Sequence, residues 1–185
     1  MKKILIVEDT QENMDAAKAF FSTIKDFEFV YATNRKEAED LLESVDAVIT
    51  DRQIPYVSGE NVNSYAEDLL SEMKEDLSDD FDRYALKFLQ QRQGYALMAI
   101  AYSVNVPVIM ASEHGILMAL VVNDGEAVKD IGKSLHKVPP YSKENYEISS
   151  KMQGPALDRI ARNSEAVKSD SEAWNIVWEW LRKQI

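Results

Sequence analysis

The chain has no cysteine, which removes disulfides, thiolate zinc sites and cysteine nucleophiles together. Glycine and proline are scarce, six and five among 185 residues. Gly94 and Gly125 form no phosphate-cradling pattern, and no Walker sequence, Ser-His-Asp ordering or zinc-ligand spacing occurs. A hydrolase therefore lacks support. Long apolar runs are also missing. Met1-Lys2-Lys3 leads directly into Ile4-Leu5-Ile6-Val7, too short for a signal-peptide core or a membrane span. A soluble cytoplasmic protein with no membrane contact is the expectation. Basic clusters are absent as well. Lys and Arg number 21 against 32 Asp and Glu, a formal charge of −11. Nucleic acid is thus not an expected partner, because phosphate contacts need clustered cations. Protein partners or a small cationic ligand suit this acidity better, and acidity also aids solubility.

What is present is enough apolar material, 45% of residues, to build one core, so a single elaborated domain over 1–185 is expected. Residues 3–7 form an unbroken aliphatic run, as in a strand buried on both faces. Thr10 is a candidate helix cap, and Met14, Ala17, Phe20, Phe21 and Ile24 recur at helical spacing. Phe27 to Ala32 is a second strand. Asn34 caps a helix carrying Ala38, Leu41 and Leu42, and Val45 to Thr50 is a third strand. Strand–helix–strand–helix–strand at this density predicts an α/β fold with a parallel sheet covered by helices on both faces.

Residues 60–93 then break the pattern. They hold nine acidic and four basic side chains with no Gly or Pro, and their apolar residues keep helical spacing. An inserted acidic pair of helices, bending near Ser78-Asp79-Asp80, is predicted. Gly94 to Tyr102 reads as a helix and Pro107 to Ala111 as a fourth strand ending at Ser112. Ile116 to Val122 is either helix or strand. Ser134 to Val138 is a candidate edge or closing strand before Pro139-Pro140. Residues 141–185 read as a C-terminal helical extension: a short helix after Gly154-Pro155, then a last helix capped by Ser171. Trp174, Val177, Trp178 and Leu181 form the stripe of that last helix. Trp180 falls off the stripe and is a candidate contact with a partner or with the inserted helices. His114 and His136 read as ordinary loop and local residues.

The chemistry concentrates where strands stop. Glu8 and Asp9 follow the first strand, and Asp51 ends the third. In a parallel sheet the C-terminal strand ends share one edge, and ligands bind in the crevice there. Three carboxylates gathered at one point are costly unless a cation sits among them or a proton is taken up. A pocket for a hard cation beside a reactive aspartate follows.

Three segments carry a resemblance: Ile4-Leu5-Ile6-Val7-Glu8-Asp9, Asp51-Arg52-Gln53-Ile54-Pro55-Tyr56-Val57-Ser58-Gly59, and Pro107-Val108-Ile109-Met110-Ala111-Ser112. With an acidic pair ending strand one and the Asp, four-on Pro, eight-on Gly spacing, the chain resembles the receiver domain of bacterial response regulators. The match covers residues 1–59 well and 94–112 less closely. The resemblance implies a flavodoxin-like, doubly wound sheet of about five strands in order 2-1-3-4-5. It implies that Asp51 accepts a phosphoryl group from a histidine kinase or phosphotransfer protein, with an unknown effector protein downstream. Glu8, Asp9, Asp51 and the carbonyl of Gln53 would hold Mg²⁺. Ser112 would bond a phosphoryl oxygen, and a lysine would pair with Asp51. That lysine is Lys137, in the strand-like Leu135-His136-Lys137-Val138, with Lys133 as competitor on spacing. Arg52 stands where the family carries an apolar residue, and the segment 60–93 lengthens the separation of Asp51 from Ser112.

The resemblance leads to a stand-alone signalling receiver. The alternatives are a pseudo-receiver that serves as a phosphorylation-independent interaction or scaffold module, and a small metal-dependent phosphatase or phosphotransferase.

Overall fold

The computed structural model describes residues 1–59, 85–112, 116–118, 120–122, 125–151, 157–159 and 167–185, with backbone alone for 85–92, 116–118, 120–122, 146, 149–150 and 157–159. In chain order the elements are β1 (Lys2–Val7), α1 (Gln11–Phe21), β2 (Phe27–Ala32), α2 (Arg35–Leu41), β3 (Ala47–Asp51), α3 (Ala85–Ser103) and β4 (Val108–Ser112). Then follow β5 (Ile116–Met118), β6 (Leu120–Val122), α4 (Gly125–Leu135), α5 (Lys143–Ser150), β7 (Leu157–Arg159) and α6 (Ser171–Leu181). The larger sheet has the order β2-β1-β3-β4-β5. Its first four strands are all parallel.

Alternation along the strands explains the two layers of helices. Ile4, Ile6, Ala47, Ile49, Ile109 and Ala111 face a core shared with α1 and α6. Leu5, Val7, Val48 and Met110 face the opposite core, shared with α2, α3 and α4. Successive strand side chains point to opposite sides, so strands apolar at every position must be covered twice. On one side Phe21 and Trp178 pack edge-to-face at 6.0 Å, and Phe27 meets Trp178 at 4.7 Å. Trp180 packs against this same core rather than standing apart. On the other side Gly132 lets α4 lie against α3, since a Cβ there would come within 2.2 Å of the Ala99 carbonyl oxygen.

Several expectations are corrected. The fifth strand occupies the expected place in the order but runs antiparallel to β4. Three residues separate Ser112 from Ile116, whereas a parallel neighbour requires a crossover of about a dozen residues or more. Ser134 to Val138 is no strand. It is the end of α4 and the turn after it, where the Ser134 hydroxyl donates to the Asp130 carbonyl at 2.9 Å. Val128 and Leu135, both buried, and Ile131 give that segment a helical apolar stripe. Leu157–Arg159 pairs antiparallel with β6 where a short helix was expected. Asp170, not Ser171, caps α6 by accepting from the Glu172 backbone at 3.2 Å. Thr10 makes no side-chain cap, while Asn34 does, accepting from Glu37. The bend expected near 78–80 and His114 lie outside the described residues. Among the described residues no helix is long and apolar enough to cross a membrane.

Candidate metal centre

The register of the parallel strands sets the site. Val7 pairs with Thr50 and Asp51 with Ala111, so Glu8, Asp51 and Ser112 come to the same edge on three adjacent strands. The Glu8 backbone N–H extends the β1–β2 ladder by donating to the Ala32 carbonyl at 3.1 Å. One carboxylate oxygen from each of Glu8, Asp9 and Asp51 lies within 4.8 Å of the others. The three acids placed together by the sequence pattern are therefore together in space.

A cation already lies among them. Lys168 Nζ donates to Glu8 Oε2 at 2.5 Å and to Asp51 Oδ1 at 2.6 Å. The remaining oxygens are also engaged: Glu8 Oε1 accepts from the Thr10 backbone at 3.1 Å and Asp51 Oδ2 from the Gln53 backbone at 2.9 Å. Glu8 is 1% exposed, Lys168 2% and Asp51 8%, so these charges have left water. Removing one partner of such a buried pair costs on the order of 3–5 kcal/mol, because the other charge stays behind uncompensated. Lys168 is fixed at its backbone too, for its carbonyl accepts from the Trp174 indole N–H at 2.6 Å.

Burial pushes the Glu8 carboxyl above the ordinary glutamate range, with neighbouring Asp51 adding to the rise; Lys168 pulls the other way without winning. For Lys168, burial alone would lower the ammonium's affinity for its proton. Asp51 and Glu8 more than offset that, so it holds the proton more tightly than a free lysine. Both directions follow from one ammonium shared between two buried carboxylates.

That donor set fits a hard divalent ion. Oxygens next to one another on an octahedral Mg²⁺ at about 2.1 Å lie ~3.0 Å apart and opposite ones ~4.2 Å, so three oxygens spread over as much as 4.8 Å would have to draw inward to share that ion. Each ionised carboxylate has about four lone-pair sites, so the bonds to Lys168, Thr10 and Gln53 leave acceptor capacity.

Ser112 is buried at the end of β4, beside the strand of Asp51. Lys137 and Lys133 are not at the site. Lys137 lies exposed in the turn after α4, and Lys133 is exposed and paired with Asp130 at 3.3 Å. The site lysine is Lys168, which sequence reasoning passed over because no proline follows it and the residues before it form no clear strand. Arg52 forms no ion pair among the described residues, and its Nε is buried without a partner. No protein-family model matches the chain, and neither does any curated protein.

Proposed function

We propose that the protein is a receiver-like aspartyl phosphoacceptor that acts through protein–protein contacts. The observation that carries this is the Lys168 ammonium bound to both Glu8 and Asp51 at the C-terminal edge of a parallel sheet, with Asp9 alongside. The corresponding fold is flavodoxin-like, with an antiparallel edge strand in the fifth position.

An oxygen of Asp51 attacks phosphorus, the bond from phosphorus to the donor breaks, and an acyl phosphate remains on the protein. The donor is a phosphohistidine of a histidine kinase or phosphotransfer protein, or a small phosphodonor such as acetyl phosphate. Glu8, Asp9, Asp51 and the Gln53 carbonyl would hold Mg²⁺. When bound, that ion offsets the repulsion between an anionic nucleophile and an anionic phosphoryl group. Lys168 gives up its bond to Asp51 Oδ1 and pairs with a phosphoryl oxygen, keeping Glu8 as its anchor. Ser112 donates its hydroxyl to another phosphoryl oxygen.

The test is an intact mass after incubation with acetyl phosphate and Mg²⁺. One added phosphoryl group, lost with chelator and in Asp51→Asn, supports the assignment. A second reading, a phosphorylation-independent scaffold, draws on one specific observation: Lys168 already bonds both carboxylates that the ion and the phosphoryl group need. No adduct, with no Mg²⁺-dependent change in tryptophan fluorescence, favours that reading.

A further inference from the structure

We infer that Tyr141 and Gln93 are positioning residues for Asp51, acting through the backbone of residues 52–56. The inference rests on the phosphoacceptor reading for its functional meaning, and on geometry for its substance. Asp51 Oδ2 accepts from the Gln53 N–H at 2.9 Å, so the acceptor carboxylate is oriented by the loop that follows it. The loop is in turn held from three sides.

On the first side is α2. The Arg35 N–H donates to the Pro55 carbonyl at 3.0 Å and the Lys36 N–H to the Tyr56 carbonyl at 2.9 Å. Ile54, the residue just before them, is wholly buried. On the second side is Tyr141, whose hydroxyl oxygen accepts from the Tyr56 N–H at 2.8 Å, with the two rings edge-to-face at 6.3 Å. On the third side is the backbone of α3. A Cβ on Gly94 would come within 2.3 Å of the Arg52 carbonyl oxygen and 2.5 Å of that of Asp51, so only glycine allows this approach.

Gln93 ties these supports to each other. Its Oε1 accepts from Arg35 Nη1 at 2.8 Å, and its Nε2 donates to the Pro140 carbonyl at 3.2 Å. Arg35 also lies 5.6 Å from the Tyr56 ring centroid, with its Nε on Glu39. Gln93 and Arg35 are buried, 1% and 2% exposed, and a buried amide spent on both its ends in this way fixes orientation rather than solvation. The closed ring Arg35–Gln93–Pro140–Tyr141–Tyr56 keeps the Gln53 N–H, and the carbonyl proposed as a metal ligand, in register with Asp51. Partners that bond a metal ligand directly are worth about 10- to 100-fold in metal affinity or activity, and Tyr141 and Gln93 act one step further out, on the loop that carries Gln53.

The experiment uses the full chain and Mn²⁺ as probe, with affinity read by electron paramagnetic resonance and the Gln53 amide by nitrogen–proton NMR. Tyr141→Phe keeps the ring and removes the acceptor. Gln93→Glu keeps the bond to Arg35 and loses the donor to Pro140. Val128→Ala, buried in the same core away from the loop, supplies a loss of stability without a loosened loop. Both loop variants are expected to weaken Mn²⁺ by about tenfold and to shift and speed exchange of the Gln53 amide, while Val128→Ala at an equal or greater drop in Tm does neither. Mn²⁺ affinity that merely follows Tm across all three variants, or a Gln53 amide unmoved in Tyr141→Phe, overturns the inference. If the parent chain binds no Mn²⁺, the metal reading fails, and the Gln53 amide alone still decides whether Tyr141 and Gln93 hold the loop.

Discussion

Glu8 is the residue with the most to reveal. It is buried, shares a lysine with Asp51, and has its carboxyl raised above the ordinary range by loss of solvent. A carboxyl whose folded-state pKa exceeds its unfolded value binds protons more readily when folded, so its contribution is greatest at low pH and lost as pH rises through the folded pKa. Glu8→Gln cannot titrate there. The stability of the parent chain minus that of Glu8→Gln is therefore expected to grow as pH falls from 7 toward 5, measured by urea unfolding at each pH. A difference that shrinks over that interval contradicts the electrostatics described here. Lys168 has the opposite charge and the same sign of shift, so its support extends through neutral pH and fails only in alkali, as pH rises through its raised pKa. Its importance was not legible in the sequence. A lone lysine shortly before a helix cap looks like a solvated one, and only the fold shows that it reaches carboxylates 160 and 117 positions away.

Among the elements, the strands β1 and β3 were legible because unbroken aliphatic runs, Ile4 to Val7 and Ala47 to Ile49, lie within them and are buried on both faces. The segment at 134–138 was not. Five residues, of which only Leu135 and Val138 are apolar, have no periodicity of their own, and that their start closes a helix becomes visible only through the stripe begun at Val128. The packing of α4 on α3 then depends on Gly132. Gly132→Ala places a methyl within 2.2 Å of the Ala99 carbonyl oxygen and 2.8 Å of the Ser103 Cβ, with backbone as the obstacle. Forced overpacking of this kind costs about 1–3 kcal/mol, against a helix-propensity gain of at most ~1 kcal/mol. Gly132→Ala is expected to lower unfolding free energy by chemical denaturation; unchanged or higher stability contradicts the close approach. The α1 and α6 layer was legible by its spacing, since Met14, Ala17 and Phe21 on one side and Trp174, Val177, Trp178 and Leu181 on the other are all buried.

At the scale of the whole molecule, strongly acidic composition and a buried acidic focus coincide, and only the second is informative. Net charge of −11 describes solubility and long-range attraction for cations; it is the parallel register that turns three of those charges into a site. The sequence allowed that convergence to be read in advance, because acidic residues at the ends of β1 and β3 must meet on one edge if those strands are parallel neighbours. It did not allow the internal counter-ion to be read, since that comes from the far end of the chain on the turn before α6. The direct measurement is anomalous scattering from a crystal of the full chain soaked in Mn²⁺ at neutral pH. The expected result is one peak coordinated by carboxylate oxygens of Glu8, Asp9 and Asp51, with Lys168 Nζ turned away from at least one of its two present partners. No peak at that edge, with Lys168 still bound to both Glu8 and Asp51, would contradict the divalent-ion account.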